Sequence, residues 1–387
     1  MRVAIFTETF LPKIDGVVAI LCQALQQLAH RGHQVLVIGP PDMPAEYAGA
    51  RCVPAGGPRF PAYPELRINL PSRRIIDAVR QFAPDVIHVV NPAFLGPTGI
   101  ALAHYLGTPL VASSHMDIPS YTQLYVGAWG VPIAWRLFAG VHNTADLNLV
   151  PSSAMLAQVR AHGYQRVRWW HRGIDADRFA PHRADPAMRR RLSGDHPDEL
   201  LAVYVGRISR EKQVHLLRDT VARLPGVRLA LVGGGPELAT MQRHFAGTSA
   251  QFVGYLRGDD VAAAYASADV LVFPSLSETF GLAPLEAMAC GLPVIATTAG
   301  GLVDTIRDGI NALAYDPATP DAITARLAQF RDDPALRRRL REGALAHARG
   351  RDWQATMDQL IGFYHLARRA HRWRRQLRRR RRTIAPR

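Results

Sequence analysis

At 387 residues, 48% of them hydrophobic, the chain is long enough for two globular domains with a core each. Three scattered cysteines, Cys22, Cys52 and Cys290, exclude a disulfide framework or a thiolate zinc site and suit a reducing cytosol. The net charge of +15 resembles that of a nucleic-acid binder until it is located: 11 arginines stand in the last 20 residues, which hold no acid, and the remaining 367 residues carry only +4.

In chain order, the first residues run straight into a strand with no basic and apolar leader, and no apolar run approaches the ~20 residues of a membrane-spanning helix. The expected location is cytoplasmic. Buried strands are predicted at 3–6, 35–38, 86–90, 110–113 and 147–150, and again at 202–205, 229–232, 251–253, 270–273 and 294–296, with helical segments between them. That alternation predicts an α/β fold of two parallel, Rossmann-like domains facing one cleft. The polar stretch 175–199, with three prolines and dense charge, is the expected boundary. The predicted organisation is a first domain at 1–180, a second at 181–365 and an Arg-rich tail at 366–387. Between residues 119 and 142, Tyr121, Tyr125, Trp129, Trp135 and Phe138 are interleaved with few charges, a pattern that suits either an interfacial helix or a packed core.

Two clusters carry chemistry. Residues 202–206, AVYVG, read as a strand that runs into Arg207 and Lys212, placing two long cations past a strand's carboxyl end, where open α/β sheets bind ligands. Lys212 is one of only two lysines, the other being Lys13, in a chain that otherwise uses arginine. A compact ammonium binds phosphate as a point charge, where arginine imposes a planar fork. In the second cluster, residues 277–286 (SETFGLAPLE), Glu278 and Glu286 flank a Phe280, Gly281, Leu282 turn between a strand and a helix start. A helix start attracts phosphate, while carboxylates accept hydrogen bonds from hydroxyls. Together they predict a pocket for a molecule with both phosphate and sugar character.

The pattern at Gly206, Arg207 and Lys212, followed by Glu278 and Glu286 eight residues apart, resembles the donor site of glycosyltransferase family 4, a retaining family with the two-domain GT-B fold. The resemblance extends through FTETFLPKIDGVV (6–18), FPAYPEL (60–66), PDVIHVVNP (84–92), SSHMDIPSY around His115, and RGIDADRFAP (172–181), covering residues 1–365. Within the family it is strongest to sulfoquinovosyl-diacylglycerol synthases, with lipid-directed mannosyltransferases second. One departure is that Met116 and Asp117 follow His115, where the sulfoquinovosyl enzymes carry a second histidine two residues on. An anionic Asp117 close to a sulfonate would be unfavourable.

The resemblance implies a retaining hexosyltransferase acting from a nucleotide-diphosphate sugar on a lipid, with sulfoquinovose from UDP to diacylglycerol as the leading expectation and α-mannose from GDP as the alternative. Nucleotide-sugar epimerases share the fold and are the alternative enzyme class; a basic-tailed binding protein with a vestigial site is the non-enzyme one. In this reading Arg207 and Lys212, with backbone N–H groups at Gly281 and Leu282 beside Phe280, stabilise the leaving diphosphate, so that no metal and no cofactor are needed. Glu278 accepts from sugar hydroxyls, Glu286 holds the ribose, and the base meets backbone near Gly254. His115 contacts the sugar's 6-position, Gly16 lets backbone approach the donor, and Lys13 is the candidate partner of an anionic sugar group. The expected partners are a nucleotide sugar, a lipid acceptor and, through the Arg-rich tail, the anionic inner face of the plasma membrane rather than nucleic acid.

Overall fold

The structure is a computed structural model. It describes the backbone of all residues except 14, 61–62, 68–70, 118–121, 123–126, 320 and 385–387, and side chains outside these and outside 59–60, 63–67 and 378–384.

The chain divides into two compact units, one made of Met1–His171 with Thr356–Arg387 and the other of Arg172–Ala355. The edges thus fall at 171/172 and 355/356, where the sequence reading had put them at 180/181 and 365/366. The polar stretch around residue 185 is not a free linker. It forms a helix, Pro186–Ser193, capped by the Asp185 carboxylate, and buries Met188 and Leu192 in the second unit's core.

The first unit holds an eight-stranded sheet in the order Val167–Trp169, Leu147–Val150, Leu110–Ser113, Val86–Val90, Arg2–Thr7, Gln34–Gly39, Ala50–Pro54, Glu46–Tyr47. All neighbours are parallel except the last pair. The central strands are near-continuous apolar runs such as VAIF and VLVI because helices cover both faces. Edge strands such as Glu46–Tyr47 and Val167–Trp169 escaped the sequence reading, being two or three residues long and without alternation.

The second unit is a six-stranded, all-parallel sheet: Ala250–Gly254, Val227–Val232, Leu200–Val205, Val270–Phe273, Val294–Ala296, Ala312–Ala314. In both sheets the strand order reverses beside the first strand of the unit: Arg2–Thr7 lies between Gln34–Gly39 and Val86–Val90, and Leu200–Val205 between Val227–Val232 and Val270–Phe273. A crevice opens at the carboxyl ends of strands at such a reversal, because the flanking connections depart to opposite faces.

The basic tail continues the last helix, Trp353–Ile384, which joins the first unit from Thr356 onward. Arg31 pairs with Asp358 at 3.0 Å, and His371 and Arg374 reach the buried Asp146 at 3.0 and 3.3 Å. Arg368 pairs with Asp85 at 3.7 Å and Arg375 reaches the Gly107 carbonyl at 3.4 Å, so the start of the tail is partly structural. Among the described residues no helix is long and apolar enough to cross a membrane.

Candidate functional site: the sheet reversals of the two units

In the second unit the reversal brings the loop after Leu200–Val205 beside the loop after Val270–Phe273. The first carries Gly206, Arg207 and Lys212; the second carries Glu278, Phe280 and Gly281. Lys212 Nζ forms an ion pair and hydrogen bond with Glu278 Oε1, the two side chains being 19% and 13% exposed. The expected diphosphate cation and the expected sugar-hydroxyl acceptor are thus held against each other. Each limits the other's reach, and a diphosphate sugar would take both by offering phosphate oxygens to Lys212 and hydroxyls to Glu278.

Two glycine loops fix this geometry, and the sequence reading named neither. Gly233 has φ +136°, and a Cβ there would lie 1.9 Å from the Gly206 carbonyl oxygen; Gly234 O accepts the Ile208 N–H at 2.9 Å. Backbone packed so closely holds the Arg207 loop from behind. The Arg207 carbonyl also accepts the hydroxyl of the buried Tyr204 at 2.8 Å. On the other side, Gly301 N–H donates to Glu278 O at 2.7 Å, and a Cβ on Gly301 would stand 2.2 Å from the Thr279 carbonyl oxygen. The glycine runs 233–235 after Val227–Val232 and 300–301 after Val294–Ala296 were the available signal, since consecutive glycines past a strand mark close backbone approach.

The helix Leu282–Ala289 starts at Gly281, whose φ of +85° is the left-handed conformation that glycine allows. It has no side-chain cap and no acid in its first turn, so among the described residues no capping side chain takes its first N–H groups. Phe280 is 4% exposed and its ring belongs to the core, which leaves only its backbone for a ligand. Glu286 lies one turn into the helix, where its Oε2 accepts the Tyr265 hydroxyl at 3.1 Å. Burial raises its pKa above the ordinary carboxylate range, opposed by that hydrogen bond and by Arg178. Tyr265 and Arg178, neither predicted, thus attend the expected ribose carboxylate. Gly254 closes its strand at φ +77°, and its carbonyl accepts the Gly233 N–H at 2.8 Å, fastening it to the same loop.

The reversal in the first unit is filled from within. The helix Gly16–His30 is capped by Asp15, whose Oδ1 accepts the Val18 N–H at 2.9 Å and whose Oδ2 pairs with Lys13 at 3.3 Å. The approach expected at Gly16 thus meets a carboxylate, and Lys13 has its charge matched in place. Ahead of the neighbouring helix, Gly96–Leu106, Glu8 Oε1 accepts from the N–H groups of Ala93, Phe94 and Leu95 and of the helix's first residue, Gly96, at 3.2, 2.8, 2.7 and 3.1 Å.

His115 lies past the strand Leu110–Ser113 and is 5% exposed. Its N–H donates to Asn91 Oδ1 at 2.6 Å and its ring Nε2 meets Ser113 Oγ at 2.9 Å. Asp117, two residues on, accepts from Gln158 Nε2 at 2.8 Å. Of the aromatics between 119 and 142, Tyr121 and Tyr125 lie outside the described residues. Trp135 is buried at 4% and Phe138 half-buried, whereas Trp129 is 68% exposed. Among the described residues no three His, Cys, Asp or Glu side chains gather as a metal site would require.

Comparison with known proteins fits this architecture. Residues 14–178 match the family model described as Glycosyltransferase Family 4, and residues 189–347 match Glycosyl transferases group 1. The chain is 34% identical to "Sulfoquinovosyl transferase SQD2" of Arabidopsis thaliana, across 93% of this chain and 72% of that protein. It is 37% identical to a "GDP-mannose-dependent alpha-mannosyltransferase" of Mycobacterium tuberculosis, across 95% and 97%. Among solved structures, a sucrose-phosphate synthase from Thermosynechococcus elongatus superimposes with a TM-score of 0.76 at 22% identity, covering 94% of this chain and 98% of that one. The Anabaena protein HepE, solved with UDP and glucose, gives 0.74 at 21%, with the same coverage. The chain therefore belongs to glycosyltransferase family 4, the retaining hexosyltransferases of the GT-B fold that take their sugar from a nucleotide-sugar donor.

Proposed function

We propose that this chain moves a hexose from a nucleotide-diphosphate sugar to a lipid at a membrane surface, with the second unit's reversal as the donor site. The observation that carries the reading is the Lys212 and Glu278 pair in front of the uncapped helix Leu282–Ala289. A cation and free N–H groups suit a diphosphate, and a carboxylate beside them suits sugar hydroxyls. Arg207 and Lys212 would then meet the charge that grows on the leaving diphosphate, where preorganised positive groups count most. Glu286, with Oε2 on Tyr265, keeps Oε1 for the ribose.

Between the two donors, the geometry favours an uncharged hexose, as in GDP-mannose. A sulfonate calls for a cation in reach, but Lys13 is matched by Asp15, and Asp117 adds a negative charge two residues from His115. The UDP-sulfoquinovose reading keeps the support of the 34% identity to the Arabidopsis enzyme. A melting scan decides between them, since a ligand at 100 times its dissociation constant stabilises a fold by about 2.7 kcal/mol. GDP-mannose is expected to raise the melting temperature and UDP-sulfoquinovose to leave it unmoved; the reverse result reinstates the sulfonated donor. Acceptor-free release of sugar at the full rate would move the chain to the epimerases.

The membrane reading rests on two exposed faces of the first unit. Trp129, Ile133 and Leu137 are 68%, 52% and 65% exposed at four-residue spacing, beside Arg136, along the helix Gly130–His142. Trp373 and Leu377 stand out from the arginine-rich helix in the same spacing. Aromatic and aliphatic side chains flanked by cations suit an anionic lipid surface. Removing residues 378–387 spares the His371 and Arg374 bonds to Asp146 and is expected to weaken sedimentation with phosphatidylglycerol vesicles. Binding to duplex DNA with no response to vesicles would contradict the membrane reading.

A further inference from the structure

Four buried side chains of the first unit form one unbroken hydrogen-bonded line. Tyr364 Oη lies 2.9 Å from His88 Nδ1, His88 Nε2 lies 2.9 Å from Ser113 Oγ, and Ser113 Oγ lies 2.9 Å from His115 Nε2. The exposures of Tyr364, His88, Ser113 and His115 are 0%, 2%, 1% and 5%. The line starts on the C-terminal helix, crosses two adjacent strands and ends at the residue expected to contact the sugar. The Trp170 ring packs edge-on against both imidazoles, 6.4 Å from His88 and 5.9 Å from His115, and anchors its own N–H on the Thr356 carbonyl at 3.2 Å. The indole shields the line from water on that side.

Such a line can run in two senses, because each neutral imidazole and each hydroxyl carries one transferable proton. Its far end fixes the sense. Burial raises the Tyr364 pKa, so the phenol keeps its proton. Among the described residues its hydroxyl has one hydrogen-bond partner, His88 Nδ1. Were His88 Nδ1 protonated, the phenol proton would be buried with no acceptor, which costs more than an ordinary hydrogen bond returns. Tyr364 therefore donates to His88 Nδ1. His88 in turn donates from Nε2 to Ser113 Oγ, and Ser113 gives its only proton to His115 Nε2. A neutral His115 whose Nε2 accepts must carry its proton on Nδ1.

We propose that Tyr364, His88 and Ser113 are positioning residues that hold His115 as the Nδ1–H tautomer, so that its ring serves the reaction as a hydrogen-bond donor to an oxygen of the bound sugar and not as a base. The proposal rests on the reading of His115 as a sugar contact. It adds a polarity to that contact: the ring selects an acceptor oxygen. The Asn91 bond to the His115 backbone and the Ser113 bond to its ring fix the imidazole at both ends of the residue, as a donor aimed at one hydroxyl requires.

The test is long-range 1H–15N spectroscopy of the full chain labelled with 15N-histidine, with the two signals assigned from His88→Gln and His115→Gln. The expected spectrum has His115 protonated at Nδ1 and His88 at Nε2. Tyr364→Phe, which deletes one oxygen from the core, is expected to shift both rings toward the opposite tautomer and to lower turnover about tenfold with nucleotide affinity unchanged. Ser113→Ala should lower turnover similarly while leaving His88 and His115 uncoupled. A wild-type His115 protonated at Nε2, or a Tyr364→Phe spectrum identical to wild type, overturns the proposal. If His115→Gln retains full turnover, the sugar contact itself is refuted, whatever tautomer the spectrum reports.

Discussion

The two units share one architecture and use it in opposite ways. Each sheet reverses strand order beside its first strand, and each reversal sets a helix N-terminus over a crevice. In the first unit the protein's own carboxylates fill both positions, Glu8 on the helix Gly96–Leu106 and Asp15 on the helix Gly16–His30. In the second, the helix Leu282–Ala289 begins at a left-handed glycine with no side-chain cap. A fold that offers an anion site at every reversal has closed one with glutamate and aspartate and, in the function proposed above, leaves the other for an incoming diphosphate. In that reading the side chain that meets the helix start, and not the fold, decides which reversal would bind phosphate.

The sharpest way to break this contrast is Glu278→Gln. If Glu278 accepts hydroxyls of the reacting sugar, steady-state turnover should fall by roughly 100-fold or more, the scale of losing one preorganised contact at a reacting centre. Nucleoside-diphosphate affinity, read by calorimetry, should hold or rise as Lys212 loses its partner. Turnover near the wild-type rate would remove Glu278 from the site.

Next in size is a matched pair of lysine variants. Lys212→Ala should weaken nucleoside-diphosphate binding by about tenfold and turnover by more, because the charge it meets grows as the bond breaks. Lys13→Ala, in the reversal already neutralised by Asp15, should change that affinity by less than about twofold. Equal losses from the two would erase the distinction between the units.

The smallest effect is expected from Glu8→Ala. Four backbone N–H groups would lose their acceptor, which should destabilise the first unit by about 1–2 kcal/mol in a denaturant titration. Nucleotide affinity should stay unchanged. A gain of diphosphate binding in the vacated reversal would sharpen the comparison further.

Much of the candidate donor site was legible in the sequence because it is local. Arg207 and Lys212 lie within seven residues of the end of a strand, and Glu278 to Glu286 span one loop and one helical turn, so strand, turn and helix signals place them without distant contacts. The glycine loops at 233–235 and 300–301 were readable as turns, but their role against Gly206 and Thr279 depends on backbone from elsewhere in the chain. The Tyr265 bond to Glu286 was invisible for the same reason. So was the burial of Trp135 beside an exposed Trp129 on one helix, because composition names the aromatics and only packing assigns their faces.

The sequence by itself determined the two parallel α/β units, the order of their strands along the chain and the residue types at the donor loops. These follow from hydrophobic period, turn chemistry and the scarcity of lysine, all properties of neighbouring residues. Tertiary structure decided which partner each charge meets within the protein. Lys13 and Lys212 look alike in the sequence, yet one is matched by the carboxylate that caps its own helix and the other by a carboxylate 66 residues away. The same holds for the line from Tyr364 to His115, which joins residues separated by up to 276 positions. Hydrogen bonds of that span exist only once the sheet has set its strands side by side, so no local pattern encodes them.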